Sequence, residues 1–372
     1  MKNVLVTGGA GFIGSYICEQ LLKANYHVIV LDNLDPQIHG ENAQWPAYMP
    51  KGTENYIGDV RDHQLLRELL GKTDAVIHLA AAVGVGQSMY KIEHYCSVSV
   101  LGTAILLEEI LAQKARIKKI IVASSMSIYG EGEYVKADGK IVYPPSRPLS
   151  QLKRGQWELT SAEGGTLRPV PVQENKPLKP DSIYAVNKRD QEEMCLAFGR
   201  AYEIPTVAFR MFNVFGARQA LNNPYTGVVA IFSNKLLQNQ QPMVFEDGNQ
   251  KRDFVHVEDV ARAYLLALES DAADGLAINV GSGKSISVLE IAKTLANIIG
   301  RDIEPIITGK YRDGDIRHCF ADISLLKEKL GWEPKYNFEN GIGTLVKWLT
   351  SQTEIRSTKD SYNELNKMGL LK

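Results

Sequence analysis

The sequence predicts an α/β fold with a doubly wound parallel sheet, which carries helices on both faces. Five short apolar runs rich in Val, Ile and Leu are typical of strands buried on both sides; they lie at 3–6, 27–31, 75–79, 119–123 and 205–210. Segments with helical periodicity separate several of these runs; they lie at 12–24, 62–71, 94–114 and 183–202. Strands that alternate with helices in this way predict right-handed βαβ units in one sheet.

The pattern changes after residue 213, where the strict alternation is lost. We expect three helices and one strand there; the helices lie at about 226–238, 258–269 and 287–299, and the strand at 243–246. The sequence thus predicts three parts, which are a larger domain at 1–213 with a returning segment near 250–282, a smaller α+β domain mainly at 214–350, and a polar surface tail at 351–372.

One stretch, residues 131–180, fits neither helical nor strand periodicity, and we call it the excursion. It holds seven of the fifteen prolines of the chain. Loops of this length in compact domains are usually functional lids or disordered segments, and the sequence leaves both alternatives open. Trp157, Leu159 and Leu167 favour some packing within it.

The composition of the 372 residues is that of an ordinary globular protein, with 44% hydrophobic and 23% charged residues. Lys and Arg total 42 against 43 Asp and Glu, so no overall field favours nucleic acid or an anionic membrane. Four scattered cysteines, at 18, 96, 195 and 319, indicate reduced thiols rather than a zinc site. The sequence has no signal peptide pattern, and no uninterrupted apolar stretch approaches the roughly 18 residues of a membrane span. We therefore expect a cytoplasmic protein with no nucleic-acid or membrane partner.

A glycine-rich turn joins the first predicted strand to the first predicted helix. Gly8, Gly11 and Gly14 follow the apolar run, and Asp32 ends the next strand. Such glycines let the backbone approach a pyrophosphate at the helix N-terminus. An acid about twenty residues further on can bond an adenosine ribose and repel a 2′-phosphate. Strand, glycines, helix, strand and acid in this order predict an NAD site rather than a plain glycine turn.

A second motif puts Tyr184 and Lys188 four residues apart on a predicted helix, where they share a face. A free tyrosine, with a pKa near ~10, is a poor base at neutral pH, and a nearby ammonium favours its phenolate. Alone, this spacing also fits a half-buried aromatic beside a solvated lysine. Ser125 follows a predicted strand at the sheet edge where ligands bind, although serines at such a position also cap turns.

Together these motifs resemble the extended short-chain dehydrogenase/reductase family, in its nucleotide-sugar epimerase/dehydratase branch. The segments that carry the resemblance are Thr7–Gly14, Asp59–Val60, His78–Ala81, Ser124–Ser125, Tyr184–Lys188 and Arg252–His256. The match covers roughly residues 1–130 and 175–350. It implies a Rossmann-like NAD-binding domain at 1–213 and a smaller domain that binds a nucleotide sugar.

The resemblance also implies roles for single residues. The expected NAD contacts are Gly8, Gly11, Phe12, Ile13, Gly14, Asp32, Asn33, Asp59, Val60, Leu79, Ala80, Ala81, Tyr184 and Lys188. The expected catalytic residues are Tyr184 as the base, Ser125 as its hydrogen-bonding partner, and Lys188. The expected substrate contacts are Ser125, Ser127, Asn213, Arg218, Arg252 and Arg312. The last two match arginines that clamp a diphosphate through planar forks. The alternative for them is an ion pair, with Asp253 or Glu258 for the first and with Asp313 or Asp315 for the second.

Two departures from the family pattern matter. Ser99 stands where the family often has asparagine, which leaves open a helix-stabilising hydrogen bond at that position. Some similar sequences carry cysteine pairs in the excursion, and this chain has none there, so no metal is expected.

By the same resemblance, the reaction begins with removal of a sugar hydroxyl proton and hydride transfer to NAD, which leaves a 4-keto sugar. Family dehydratases carry Asp-Glu directly after the position of Ser125, whereas this chain has Met126 and Ser127, which are poor general acids. Decarboxylases keep a glutamate at the position of Ser127, so that route is also disfavoured. The simplest remaining chemistry returns the same hydride to the other face of the ketone.

The sequence therefore predicts an NAD-dependent nucleotide-sugar 4-epimerase for a dTDP- or UDP-hexose such as dTDP-L-rhamnose. The alternatives are a net oxidoreductase acting on a 4-keto sugar, a 4,6-dehydratase or decarboxylase, and a non-catalytic NAD-sensing protein. The resemblance further implies a homodimer formed through the helices at 94–114 and 183–202.

Overall fold

The structure is a computed structural model that describes residues 1–40, 44–113, 116–219, 227–312, 315–351 and 367–368. Its strands are β1 (Asn3–Thr7), β2 (His27–Asp32), β3 (Glu54–Ile57), β4 (Ala75–His78), β5 (Lys119–Ser125), β6 (Glu133–Val135), β7 (Ile141–Val142), β8 (Arg168–Val170), β9 (Thr206–Met211), β10 (Asn213–Phe215), β11 (Met243–Val244), β12 (Lys251–His256), β13 (Ala277–Val280), β14 (Ser285–Ser287), β15 (Ile306–Ile307) and β16 (His318–Cys319). Its helices are α1 (Phe12–Lys23), α2 (Pro36–His39), α3 (His63–Leu70), α4 (Val85–Ser88), α5 (Ile92–Tyr95), α6 (Gly102–Ala112), α7 (Leu149–Leu152), α8 (Ile183–Tyr202), α9 (Val228–Leu237), α10 (Val257–Glu269), α11 (Val288–Ile299), α12 (Ser324–Leu330) and α13 (Phe338–Thr350). A π-helical segment, Cys96–Leu101, joins α5 to α6, and a 3₁₀ turn, Met126–Tyr129, follows β5.

A parallel seven-stranded sheet lies at the centre, in the order β13-β9-β5-β4-β1-β2-β3. Alternate residues of its strands enter two different cores. Val4 and Val6 of β1 pack with α1 and α10 on one face, whereas Leu5 packs with α3, α6 and α8 on the other. Because both faces are covered, the central strands are mostly apolar, and every residue of β5 is buried, including its polar residues Lys119, Ser124 and Ser125. The predicted doubly wound α/β fold is confirmed.

Two strands of this sheet lack the apolar run by which the other five were predicted. The outermost strand, β3, reads Glu-Asn-Tyr-Ile and alternates between half-buried and exposed positions, as an edge strand does. The opposite edge strand, β13, lies far along the chain, where the alternation of strands and helices has already ended. It pairs in parallel with β9, through Ala277 opposite Ala208.

The second half of the chain adds a small mixed sheet and three helices. Strand β12 pairs in parallel with β10 and β16 and antiparallel with β14. Helices α9, α11 and α13 cover a separate apolar core that includes Phe215 and Phe254. Residues 250–282, expected to return to the larger domain, are therefore divided between the two sheets. β12 belongs to the small sheet, whereas α10 packs on α1 and β13 joins the large sheet.

The excursion is a folded unit. Its strands form an antiparallel sheet in the order β7-β6-β8. Tyr134, Leu159 and Leu167 are buried together in a small core of their own. Of the two alternatives that the sequence left open, an unfolded segment is excluded by this packing.

One continuous helix, Ile92–Ala112, is long and apolar enough to cross a membrane by length and composition. Half of its apolar part is buried within the protein, where it packs on α3 and α8 as a core helix does. The predicted surface tail, 351–372, lies almost entirely outside the described residues.

Candidate active site

The glycine turn after β1 is built so that only glycine fits. Gly8 has a φ of +72°, and its N–H donates to the carbonyl of Leu31 at 2.8 Å. A Cβ at Gly14 would lie 2.4 Å from the carbonyl oxygen of Gly8, so α1 packs directly on the turn. Gly11 caps α1 without any side-chain hydrogen bond, which leaves the first N–H groups of the helix for a ligand. This arrangement fits a pyrophosphate.

Asp32, at the end of β2, has the geometry of a ribose acceptor. Its buried carboxylate accepts hydrogen bonds from the N–H groups of Ala10 at 3.0 Å and Leu34 at 2.9 Å. Burial raises the pKa of this carboxyl, and the two backbone donors oppose that rise. A carboxylate has about four acceptor positions, so room remains for two ribose hydroxyls. The residues present therefore fit NAD.

A cavity of about 400 Å³ runs from this turn to the carboxyl end of β5. It is lined by every residue expected to contact NAD, namely Gly8, Gly11, Phe12, Ile13, Gly14, Asp32, Asn33, Asp59, Val60, Leu79, Ala80, Ala81, Tyr184 and Lys188, and also by Ser125. Asp59 is held at the adenine end by Arg61, at 2.7 Å, and hydrogen bonds from Arg61 lower the pKa of the Asp59 carboxyl.

Tyr184 lies at the far end of the cavity, one residue into α8. The side chain of Ser182 caps this helix, and the N–H of Tyr184 donates to Ser88 Oγ at 3.0 Å. Burial raises the pKa of the phenol, whereas a hydrogen bond with the hydroxyl of Ser125 lowers it. The hydroxyl of Ser127 donates to Ser125 Oγ at 2.9 Å. The two serines and the phenol therefore form one connected group.

Lys188 lies one turn after Tyr184 on the same face of α8. Its ammonium donates to the carbonyl of Ala123, on β5, at 3.0 Å. Burial lowers the pKa of this ammonium to about 8. The predicted pairing of phenol and ammonium on one helix face thus brings both groups to the same cavity wall.

A buried polar group behind Ser125 was not predicted from the sequence. Glu192, one further turn along α8, accepts a hydrogen bond from the hydroxyl of Ser124 at 2.6 Å and pairs with Arg210 of β9. This pair ties α8, β5 and β9 together directly below the catalytic end. The i+4 spacing from Lys188 was the one indication in the sequence.

Arg252 and Arg312 converge on one carboxylate. The guanidinium of Arg252 lies 3.6 Å from Asp315 and also donates to the carbonyls of Ile316 and Arg317. Arg312 lies 3.8 Å from the same Asp315 and is partly exposed. Asp315 is one of the two partners considered for Arg312, whereas Arg252 pairs with Asp315 rather than with Asp253 or Glu258, the partners considered for it.

Arg218, also expected to contact the substrate, makes contacts with α1 and with two tyrosines in this structure. Its φ is +70°, and its side chain stacks on Tyr16 and Tyr48 and pairs with Glu19 of α1. Of the expected substrate contacts, Ser125 lines the cavity, whereas Arg218 does not, and neither do Ser127, Asn213, Arg252 and Arg312. Gln219, the neighbour of Arg218, does line it. Because Glu19 neutralises its charge, Arg218 serves to hold α1.

Asn213, on β10, is half-buried, and its Oδ1 is buried without a hydrogen-bond partner among the described residues. Ser99 lies in the π-helical segment and accepts a hydrogen bond from the N–H of Ala82 at 3.3 Å. Ser99 therefore ties the π-helical segment to the loop after β4.

Several further residues line the cavity without any motif that could have predicted them; they include Gln87, His94, Tyr95 and Gln219. Three of them lie on or beside the short helices α4 and α5, which have no periodicity to recognise. Within the described ranges, no group of three or more His, Cys, Asp or Glu side chains is arranged to hold a metal ion.

Comparison with known proteins agrees with this fold and cavity. The family model described as GDP-mannose 4,6 dehydratase matches residues 5–163 and 159–345. The dTDP-L-rhamnose 4-epimerase of Burkholderia thailandensis is 38% identical over 95% of this chain and 96% of its own. A putative UDP-glucose 4-epimerase of Methanocaldococcus jannaschii is 36% identical over 93% of this chain and 98% of its own.

Solved structures give the same result. UDP-glucose 4-epimerase of Thermotoga maritima, solved with UDP-glucose, has a TM-score of 0.77 at 31% identity and covers 95% of this chain and 100% of its own. The Thermus thermophilus UDP-glucose 4-epimerase, solved with NAD, has a TM-score of 0.74 at 29% identity and covers 94% of this chain and 100% of its own.

The fold and the cavity thus define an enzyme of the extended short-chain dehydrogenase/reductase class that acts on nucleotide sugars. The chain belongs to the GDP-mannose 4,6-dehydratase family. The predictions of NAD as the cofactor and of an isomerase, a nucleotide-sugar 4-epimerase, are confirmed.

Proposed function

We propose that this enzyme inverts C4 of a nucleoside-diphosphate hexose through a transient 4-keto sugar, with Tyr184 moving the proton. One observation carries the proposal. Tyr184, Ser125 and Lys188 meet at one end of a cavity whose other end is the glycine turn. If the C4 of a hexose is held between the phenol and a nicotinamide ring, the phenol can reach its hydroxyl and the ring can reach its hydrogen.

The cofactor would be held by the residues already described. The N-terminus of α1 binds the pyrophosphate, Asp32 and Asn33 bind the adenosine ribose, and Lys188 bonds the nicotinamide ribose. When bound, NAD supplies the oxidised nicotinamide that accepts the C4 hydride and later returns it.

Tyr184 acts as base and then as acid. Its phenolate takes the O4 proton as the ketone forms, and its phenol gives the proton back when the ketone is reduced. The ammonium of Lys188 favours the phenolate electrostatically, and the hydroxyl of Ser125 stabilises it by hydrogen bonding. Ser125 also orients the sugar hydroxyl toward the phenol.

The side chains that follow Ser125 supply no acid and base for elimination of water from the 4-keto sugar. Met126 is buried and carries no proton to donate, and the hydroxyl of Ser127 is bound to Ser125. Elimination of water across C5–C6 needs an acid and a base at this place. The 4-keto sugar is therefore reduced again, on either face.

Arg252 and Arg312 hold the diphosphate of the substrate. Both guanidiniums lie within 4 Å of the carboxylate of Asp315, so a substrate diphosphate that displaces this carboxylate would be bound by both. The sugar we propose first is dTDP-L-rhamnose, the substrate named for a relative that is 38% identical over 95% of this chain. UDP-glucose, named for other relatives, is the alternative.

The active form we propose is a homodimer. Large apolar side chains on α4, α5 and the π-helical segment are left exposed; they are Val85, Met89, Ile92 and Leu101. They lie on one continuous stretch beside α8. A second copy of the chain would cover this stretch.

The test is to incubate the purified protein with dTDP-L-rhamnose, UDP-glucose and UDP-glucuronic acid without added cofactor, and to follow the C4 configuration by NMR. We expect one sugar to reach an equilibrium of both epimers. In Tyr184→Phe the rate should fall by about 10² to 10⁴, while the NAD content of the purified protein stays that of the wild type. Stoichiometric consumption of added NAD or NADH without epimerisation would instead indicate a net oxidoreductase.

A further inference from the structure

The excursion contacts the segment 315–318, which follows Arg312, one of the two arginines proposed to bind the diphosphate. A buried group of charged side chains forms these contacts, and we call it the ionic cluster. Its members are Glu131, Arg147 and Glu158 from the excursion, Glu246 and Asp247 after β11, and Arg317 and His318.

Arg147 reaches across from the excursion with a bidentate guanidinium. It donates to both carboxylate oxygens of Glu246, at 2.9 and 2.8 Å, and the side chains of both residues are almost fully buried. The same guanidinium donates to the backbone carbonyl of Asp315 at 3.0 Å. The excursion therefore fixes the backbone at the residue that lies between the two diphosphate arginines.

Arg317 is fixed from three sides. Its completely buried guanidinium pairs with Glu158, Glu246 and Asp247. Burial alone would lower the pKa of Arg317, but the hydrogen bonds with Asp247 and Glu158 outweigh it and raise that pKa. The carboxylate of Glu131 accepts the N–H of Arg317 at 2.8 Å, so the backbone is held as well.

The segment fixed in this way determines where Arg252 lies. The carbonyls of Ile316 and Arg317 accept hydrogen bonds from the guanidinium of Arg252. A rotation of this segment would carry both acceptors and Asp315 with it. The ring of Trp157, also in the excursion, lies 6.1 Å from that of Tyr311, directly before Arg312.

The cluster is rigid by its chemistry. Buried charges are tolerated only when each is paired and hydrogen-bonded, so removing one partner is strongly unfavourable. Glu246 also has a φ of +52°, a left-handed backbone conformation that persists only where the surroundings impose it. By contrast, the pair Lys136–Glu163 at the tip of the excursion is exposed and of little energetic weight.

We propose that the excursion is a fixed brace for the diphosphate site, in which Glu131, Arg147 and Glu158 act as positioning residues for Arg252 and Arg312. The inference rests on the proposed function, because it takes both arginines to bind the substrate diphosphate. It predicts that damage to the brace weakens substrate binding and leaves the chemical step intact.

The first test is Glu158→Gln, chosen because the side chain of Glu158 is 42% exposed and the variant should fold. We expect KM for the nucleotide sugar to rise about tenfold, with kcat within about twofold of wild type and NAD content unchanged. The matched control is Glu163→Gln, the same change in the same unit but in the exposed pair with Lys136. Its KM should equal that of the wild type.

The second test is the double variant Arg147→Met with Glu246→Met, which removes a buried pair and leaves Arg317 paired with Glu158 and Asp247. Its melting temperature should stay near that of the wild type, while KM rises as in Glu158→Gln. If both brace variants keep the wild-type KM while Arg252→Ala raises it, the proposal that the excursion positions the two arginines is wrong. If Arg252→Ala and Arg312→Ala themselves leave KM unchanged, the diphosphate assignment fails instead.

Discussion

Lys188 is a buried cation held by a carbonyl oxygen, 3.0 Å away on β5. Burial shifts its titration toward the working range, because water no longer solvates the ammonium. The phenol of Tyr184 is shifted the other way, since burial raises its pKa. Burial causes both shifts. As pH rises, Lys188 therefore loses its proton before Tyr184 does.

We expect kcat/KM of the NAD-loaded enzyme to fall as pH rises through about 8. Burial lowers the pKa of Lys188 to about 8 in the folded protein, so above that pH the ammonium that favours the phenolate is lost. In Lys188→Arg the guanidinium keeps its charge, and the alkaline limb should move to higher pH although the reaction is slower. The measurement is kcat/KM for the nucleotide sugar from about pH 6 to about pH 10. An alkaline limb at the same pH in both proteins would belong to another group.

The motif residues could be predicted from the sequence because their chemistry depends on short spacings. The spacings of Gly8, Gly11 and Gly14 and of Tyr184 and Lys188 are of this kind, and all five residues line the cavity. The pairs Arg147–Glu246 and Ser124–Glu192 could not be predicted, because their partners are 99 and 68 residues apart. Single charged residues give no periodicity, so nothing in one sequence joins them.

At the scale of elements, the contact between the glycine turn and α1 decides whether the cofactor site forms. Gly14 sits inside α1 with its Cα facing the turn, so the helix N-terminus can approach the turn closely. This close packing is what aims the N–H groups of the helix into the cavity.

Replacing Gly14 by alanine should therefore damage both the turn and NAD binding. The new Cβ would lie 2.4 Å from Gly8 O and 2.6 Å from Gly9 Cα, both backbone atoms that cannot rotate away. We expect a loss of about 1–3 kcal/mol in the free energy of unfolding, and protein that is purified without NAD. Urea unfolding and the absorbance of released cofactor measure the two effects.

The control is the same substitution inside another helix. Gly343→Ala, in α13, puts its Cβ where no atom lies within 4 Å, so it should stabilise by about 0.5–1 kcal/mol and leave NAD content unchanged. If Gly14→Ala also retained NAD, the close approach of α1 would have no part in cofactor binding.

Elements with strong periodicity or long apolar runs agree with the structure, and the helix predicted at 183–202 has the bounds of α8. β3 was not predicted because one face of this edge strand is exposed to solvent, so its sequence contains no apolar run. The excursion was not assigned because its strands are three, two and three residues long, which is too short for a periodic apolar face to be recognised.

At the scale of the whole molecule, the exposed apolar stretch on α4, α5 and the π-helical segment is the feature that the single chain does not account for. Leu101, at the end of this stretch, is 50% exposed. Leu101→Glu would put a charge into the proposed dimer interface, where it could not be solvated.

We expect the wild-type protein to have twice the chain mass in light scattering, and Leu101→Glu to have the mass of one chain. Ile307→Glu is the matched control, because Ile307 is 52% exposed but lies on β15, away from this stretch. A wild-type protein with the mass of a single chain would contradict the homodimer.

The position of β13 has a consequence for synthesis on the ribosome. Residues 277–280 complete the large sheet beside β9, so the sheet cannot close until most of the chain has emerged. Until then β9, which is buried along nearly its whole length in the complete protein, is an unpaired edge strand to which other nascent chains can bind. We therefore expect a gene fragment ending near codon 213 to encode a product that aggregates. It would not fold as a separate cofactor-binding domain.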